Sequence, residues 1–181
     1  INLKNIFLHL PPLPSKLLRM EHSDFLLSNS LAPATVQLRL QSDNRPDVLR
    51  ELVSFIPEIA NRPDAQQTLV RALEEREQLH STGIGDGVAL PHARNALVGL
   101  VEKPVIVFGR HRQGIPFGAI DNKPSQIFFL LIAPNVTQHL AILARLSRML
   151  REPKLRQHLL AAEAPEKILA LIRDAEEKMM K

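Results

Sequence analysis

The chain has 181 residues, 45% of them apolar and 23% charged, which suits one globular domain with its own core. Cysteine, tryptophan and tyrosine are absent, so disulfides, thiolate metal sites and cysteine nucleophiles are excluded, and Leu, Ile, Val and Ala must build the interior. The net charge of +4 favours an acidic partner or an anionic group, but no Lys/Arg cluster is interleaved with stacking aromatics, which argues against nucleic acid.

Residues 1–20 contain Pro11-Pro12-Leu13-Pro14 and read as an extended linker or tail, leaving 21–181 as the folded domain. The start lacks a small-residue cleavage site, and no apolar run reaches the roughly 18 residues needed to span a bilayer, so membrane insertion is not expected and a cytoplasmic location is. Val36, Leu38 and Leu40 alternate with Gln37 and Arg39, predicting a half-buried strand. Pro46 opens a helix carrying Leu49, Leu52, Val53, Phe55 and Ile56, and Pro57 stops it. Pro63 opens a second helix over 63–79, with Ala65, Leu69, Ala72, Leu73 and Arg76 on its inner face. A glycine-rich loop and a strand over 88–90 follow. A second apolar strand covers 104–109. It gives way to a polar, glycine-containing turn in which His111 and Arg112 are expected to be solvated. The run 127–133 is apolar at every position and predicts a strand buried on both faces. Pro134-Asn135 ends it. A helix then runs from about 137 to 151 with Leu140, Leu143, Leu146 and Leu150 inside, and two more follow at about 153–162 and 165–179. Strands covered by helices on both sides predict an α/β fold, a three-layer α/β/α domain with a central mixed sheet.

The chemistry concentrates in Ser81-Thr82-Gly83-Ile84-Gly85-Asp86-Gly87-Val88-Ala89-Leu90-Pro91-His92. Glycines let backbone N–H groups crowd toward an anion, and the strand leaves His92 at its carboxyl end, where open α/β sheets bind ligands. His92 is the candidate nucleophile. Arg76 on an inward face is costly unless it meets an anion. Its role is a fork for phosphoryl oxygens or, alternatively, a salt bridge to a carboxylate or an exposed side chain whose stem lies along the apolar face. His139 lies in the first turn of a helix that also begins at a carboxyl edge of the sheet. Ser81, Thr82 and Gly83 are candidate phosphoryl-binding residues; the hydroxyls serve equally to brace a turn. Val88 stands where G-x-G-x-x-G needs its third glycine, and no Gly-Lys-Ser/Thr occurs, so no nucleotide is expected. Histidines and carboxylates lack metal-ligand spacing, so neither a metal nor another cofactor is expected.

Glu75-Arg76-Glu77, Ser81-Thr82-Gly83-Ile84-Gly85 and Ala89-Leu90-Pro91-His92 resemble the signature of the enzyme IIA domains of the bacterial phosphoenolpyruvate-dependent phosphotransferase system. The branch is the mannitol/fructose type, or type 2, which includes the nitrogen-regulatory enzyme IIA. Gly114-Ile115, Ala119-Ile120-Asp121-Asn122-Lys123-Pro124, Leu131-Ile132-Ala133-Pro134 and His139-Leu140 extend the likeness over about 24–175. The resemblance implies the α/β/α fold, His92 as the phosphorylated histidine, His139 as the second active-site histidine and Arg76 as the active-site arginine. It also implies the phospho-form of the small carrier protein HPr as donor, with an enzyme IIB cysteine as acceptor in transport members. A nitrogen-regulatory role acting on a transporter or kinase is favoured over sugar transport. The alternative is a non-enzymatic regulatory module of the same fold, attached to or controlling a transporter. Leu90 and Ala93 are the candidate docking residues around His92.

Overall fold

The computed structural model describes residues 26–93 and 99–180, so the predicted tail at 1–20 lies outside the described residues. In chain order the elements are β1 (Val36–Gln37), α1 (Arg45–Ser54), α2 (Pro63–Leu79), β2 (Gly83–Gly85), β3 (Val88–Ala89), β4 (Val105–Ile115), β5 (Ser125–Ile132), α3 (Val136–Met149), α4 (Pro153–Ala161) and α5 (Pro165–Met180). The strands form one five-stranded sheet in the order β1-β4-β5-β3-β2. β1 runs parallel to β4 and β3 parallel to β5, whereas β4–β5 and β2–β3 are antiparallel, so the sheet is mixed.

Strand β5 shows why the domain has three layers. Side chains alternate across a strand. Ile127, Phe129 and Leu131 enter one core with Ile142, Leu146, Leu155, Ile168 and Ile172 of α3, α4 and α5. Phe128, Leu130 and Ile132 enter the other with Leu49, Leu52, Leu69 and Leu73 of α1 and α2. A sheet buried on both faces needs such two-sided apolarity, and Phe108–Phe129 and Phe117–Phe128 edge contacts seat the two layers.

Local signals start the helices. Asn44 Oδ1 accepts the Asp47 N–H at 3.0 Å at the head of α1, and Asn135 Oδ1 accepts the Gln138 N–H at 2.9 Å at the head of α3. Pro63, Pro153 and Pro165 each stand at the first position of their helix, where the missing N–H costs nothing. Among the described residues no helix is long and apolar enough to cross a membrane.

Four expectations are corrected. The glycine-rich stretch is not an open loop: Gly83–Gly85 is strand β2, and Asp86-Gly87 forms a two-residue turn with φ of 52° and 76°. Positive φ at both turn residues matches the twist of the strands it joins. Asp121 braces this turn by accepting the Asp86 N–H at 2.9 Å. Second, β4 does not end at 109 but runs on to Ile115, so His111 and Arg112 are strand residues and His111 is buried rather than solvated. Third, β1 closes at Gln37, so Leu38 and Leu40 both lie outside it, although the Leu40 N–H still reaches the Arg110 carbonyl at 2.9 Å. Fourth, Leu140 faces outward on α3. Its inner stripe is His139, Ile142, Leu146 and Met149, a spacing that leaves Leu140 one step to the side.

Candidate functional site

The pairing of β3 with β5 outlasts the strand itself. The Leu131 N–H donates to the Pro91 carbonyl at 3.0 Å, and His92 forms a parallel bridge to Leu131. His92 is thereby held at the carboxyl edge of the sheet, half-buried. Its Nδ1 lies 2.7 Å from the Leu90 carbonyl oxygen. A carbonyl only accepts, so Nδ1 carries the ring proton and Nε2 carries the free lone pair. Burial pushes the His92 pKa from 6.5 down to about 4, with the Arg76 and His139 charges adding to the shift and the Leu90 bond opposing it. The ring is neutral at pH 7.

His139 is buried in the first turn of α3, and its ring centroid stands 5.4 Å from that of His92, tilted by 59°. Its pKa is also lowered, by burial first and by the Arg76 charge second. Arg76 is half-buried near the end of α2, where Nη1 donates to the His80 carbonyl at 2.7 Å. Its charge disfavours protonation of both imidazoles, so the three predicted side chains share one neighbourhood.

Arg76 is not the residue that completes the inner face of α2. The stripe Ala65, Leu69, Leu73 continues by fours to Glu77, which is 5% exposed, while the arginine stands at the rim. Glu77 was not singled out by sequence reasoning; the four-residue spacing was the available signal. Burial raises its carboxyl pKa, opposed by hydrogen bonds from Thr82 and by the charges of Arg45 and Arg76.

The donors expected to cradle a phosphoryl group have internal partners. Thr82 donates its N–H to Glu77 Oε2 at 3.0 Å and its hydroxyl to Glu77 Oε1. Ser81 donates its hydroxyl to the Phe117 carbonyl at 2.8 Å and accepts the Gly83 N–H at 3.0 Å. Gly83 is required by close packing, since a Cβ there would lie 2.8 Å from Ala119.

Leu90 and Ala93, expected to dock a partner, are buried; the exposed apolar side chains beside His139 are Val136 at 59% and Leu140 at 42%. Among the described residues no group of three or more His, Asp and Glu side chains converges to hold a metal ion. A separate groove of about 1040 Å³ runs between the end of α3, α4 and α5 past His158, Leu171 and Met179, and His92, His139, Arg76, Glu77 and residues 81–83 do not line it.

The family model for the phosphoenolpyruvate-dependent sugar phosphotransferase system, EIIA 2, matches residues 29–175. The fructose-specific EIIA component of Haloferax volcanii is 35% identical over 137 residues, which is 72% of this chain and 87% of that protein. The fructose-specific EIIABC component of Bacillus subtilis is 32% identical over 81% of this chain, and the match spans only 23% of that longer protein. The crystal structure of the nitrogen regulatory protein IIA-Ntr from Neisseria meningitidis superposes with a TM-score of 0.71 at 27% identity, covering 80% of this chain and 97% of that one. With that family's model covering residues 29–175, the chain belongs to the type 2 EIIA family of the phosphoenolpyruvate-dependent sugar phosphotransferase system.

Proposed function

We propose that this chain is a cytoplasmic phosphocarrier that accepts a phosphoryl group from phospho-HPr on Nε2 of His92. One observation carries the reading: the 2.7 Å bond from Nδ1–H to the Leu90 carbonyl leaves Nε2 with a lone pair on a neutral, half-buried ring. The Nε2 pair forms the new N–P bond as the donor's N–P bond breaks, and the donor imidazole leaves with that electron pair. The Nδ1 proton stays on His92, and the Leu90 carbonyl stabilises the positive charge that develops on the ring. Phosphoryl transfer asks the protein chiefly for in-line positioning and for donors to the equatorial oxygens. Arg76 and the neutral His139 are the side chains suited to that task. Ser81, Thr82 and Gly83 would join them only after giving up their present bonds to Phe117, Glu77 and Ser81.

Both bonds, broken and formed, are phosphohistidine bonds, so the exchange is readily reversible and the carrier can pass its group on. Val136 and Leu140 offer an apolar surface next to the imidazole pair for transient docking. Incubation with phosphoenolpyruvate, enzyme I and HPr, followed by mass spectrometry at neutral or basic pH, tests the reading. One phosphoryl adduct on the wild type, mapped to His92 and absent from His92→Ala, is the expected result. No adduct on the wild type would leave a non-enzymatic regulatory module as the better account. Onward transfer to an enzyme IIB cysteine then separates a transport role from a regulatory one.

A further inference from the structure

We infer that Glu77 is a positioning residue for His92, acting through Thr82 and Leu90. The inference deepens the phosphocarrier reading and rests on it for its consequence in transfer, though its geometry stands alone. The bonds form an unbroken path. Both Glu77 oxygens accept from Thr82, one from its N–H at 3.0 Å and one from its hydroxyl. The Thr82 carbonyl accepts the Leu90 N–H at 3.0 Å. The Leu90 carbonyl in turn accepts the His92 Nδ1–H at 2.7 Å. A carboxylate at the end of α2 thus fixes the strand edge whose next carbonyl selects the imidazole tautomer.

Physical chemistry says why such a path matters. A buried carboxylate is costly, and Glu77 at 5% exposure is worth keeping only where its hydrogen bonds hold something in place. What it holds is a segment with little hold of its own: β2 and β3 have three and two residues, and β2 begins and ends with glycine. If the segment shifts, the Leu90 carbonyl turns away from Nδ1. The ring is then free to carry its proton on Nε2, which removes the lone pair that attacks phosphorus. Glu77 touches neither imidazole, and its influence is geometric. Outer partners that orient metal-bound imidazoles matter by about 10- to 100-fold, and an effect of that order is expected for an imidazole oriented in the same way here.

The test reads the ring directly. Nitrogen NMR of the His92 imidazole at neutral pH reports which nitrogen is protonated, in protein that has never met a phosphoryl donor. The wild type is expected in the Nδ1–H form. Thr82→Val and Glu77→Ala should shift the ring toward a mixture with the Nε2–H form and slow phosphoryl uptake by about 10-fold or more. Thr82→Ser keeps the hydroxyl, and Glu77→Gln keeps an acceptor for the N–H and a partner for the hydroxyl. Both should restore the wild-type signals. Glu77→Gln preserves volume and pairing, so it folds even where Glu77→Ala does not, and the Thr82 pair then decides. Wild-type ring signals in a natively folded Thr82→Val protein would overturn the inference, as would a Glu77→Gln ring as scrambled as that of Glu77→Ala. If the wild type shows the Nδ1–H form yet never takes up a phosphoryl group, the phosphocarrier reading fails and the positioning path stands.

Discussion

The imidazoles of His92 and His139 stand 5.4 Å apart between ring centroids and tilted by 59°, one delivered by a strand end and the other by the first turn of a helix. Neither ring tolerates charge well. Burial lowers both pKa values, and the Arg76 guanidinium lowers them further. Two neutral rings thus stand beside a fixed cation, the charge arrangement that suits the phosphoryl group proposed above.

His92 is expected to titrate near pH 4 rather than 6.5, and histidine ring signals followed by NMR will check this. Phosphoryl uptake should accordingly show no loss as pH falls through 6.5 toward 5. The unfolded chain protonates near 6.5 and the folded ring only near 4, so the unfolded state binds more protons in between. The contribution to stability is fully present above about pH 6.5 and is lost as pH falls toward 4. Glu77 works in the opposite sense, because burial raises its folded-state pKa. Comparing wild type with His92→Gln by denaturant unfolding across this range isolates the histidine's share. A wild type that loses no more stability than the variant would contradict the shift.

Replacing Arg76 by Ala should slow transfer strongly while leaving the fold intact. The side chain stands half-exposed at a rim, where among the described residues it donates to the His80 carbonyl, so its loss should cost no more than about 1 kcal/mol. The His92 pKa should rise toward its ordinary value without reaching it, because burial is the larger cause. A protein that unfolds on this change would reassign Arg76 to a structural role. His139→Gln, which keeps a hydrogen-bonding side chain there, should reduce the transfer rate or the lifetime of the phosphorylated form, read by rapid quench and mass spectrometry.

Much of this was legible in the residues, and what was not has physical reasons. The unbroken apolar run in β5 announced a strand buried on both faces. The prolines at 63, 153 and 165 marked helix starts. Asp86-Gly87 is a strong two-residue turn signal, yet three glycines close together read first as a ligand loop; in the fold Gly83 packs against Ala119, and Gly85 and Gly87 supply positive φ around the turn. The polar outer half of β4 carries no strand-like pattern; pairing with β5, through Arg110 to Ile127 and Ile115 to Ser125, imposes it. Leu140 was placed inside because leucine usually is, although Ile142, Leu146 and Met149 set a helix phase that buries His139 instead. Glu77 stands in the Glu75-Arg76-Glu77 signature without a role of its own, because a carboxylate in line with leucines reads as surface until Thr82 is seen to satisfy both its oxygens.

Gly83→Ala tests the packing under the site. The new methyl group would lie 2.8 Å from both the Cα and the Cβ of Ala119, and a backbone atom cannot swing aside as the end of a flexible side chain can. The expected cost is about 1–3 kcal/mol of stability, measured by chemical unfolding. Strand β2 would also be pushed off the Ala119 to Asn122 turn, where the Ile120 N–H reaches the Gly83 carbonyl at 3.3 Å. An alanine variant as stable as wild type would show that this contact yields easily.

Val136→Asp and Leu140→Asp separate docking from chemistry. Both side chains are exposed, at 59% and 42%, and both flank a buried His139 without entering the core, so an acidic substitution should leave the fold unaltered. A charge placed in an apolar docking patch must be desolvated when a partner covers it. Phospho-HPr should then be used with a raised KM and an almost unchanged kcat, because the interaction removed is made equally in the ground and transition states. The same aspartates should leave the His92 tautomer signals where they are, and any change in its pKa should be upward, because a nearby carboxylate favours the charged imidazole. A fall in kcat at constant KM would instead mean that these side chains shape the phosphoryl site itself, and that the partner docks on another face.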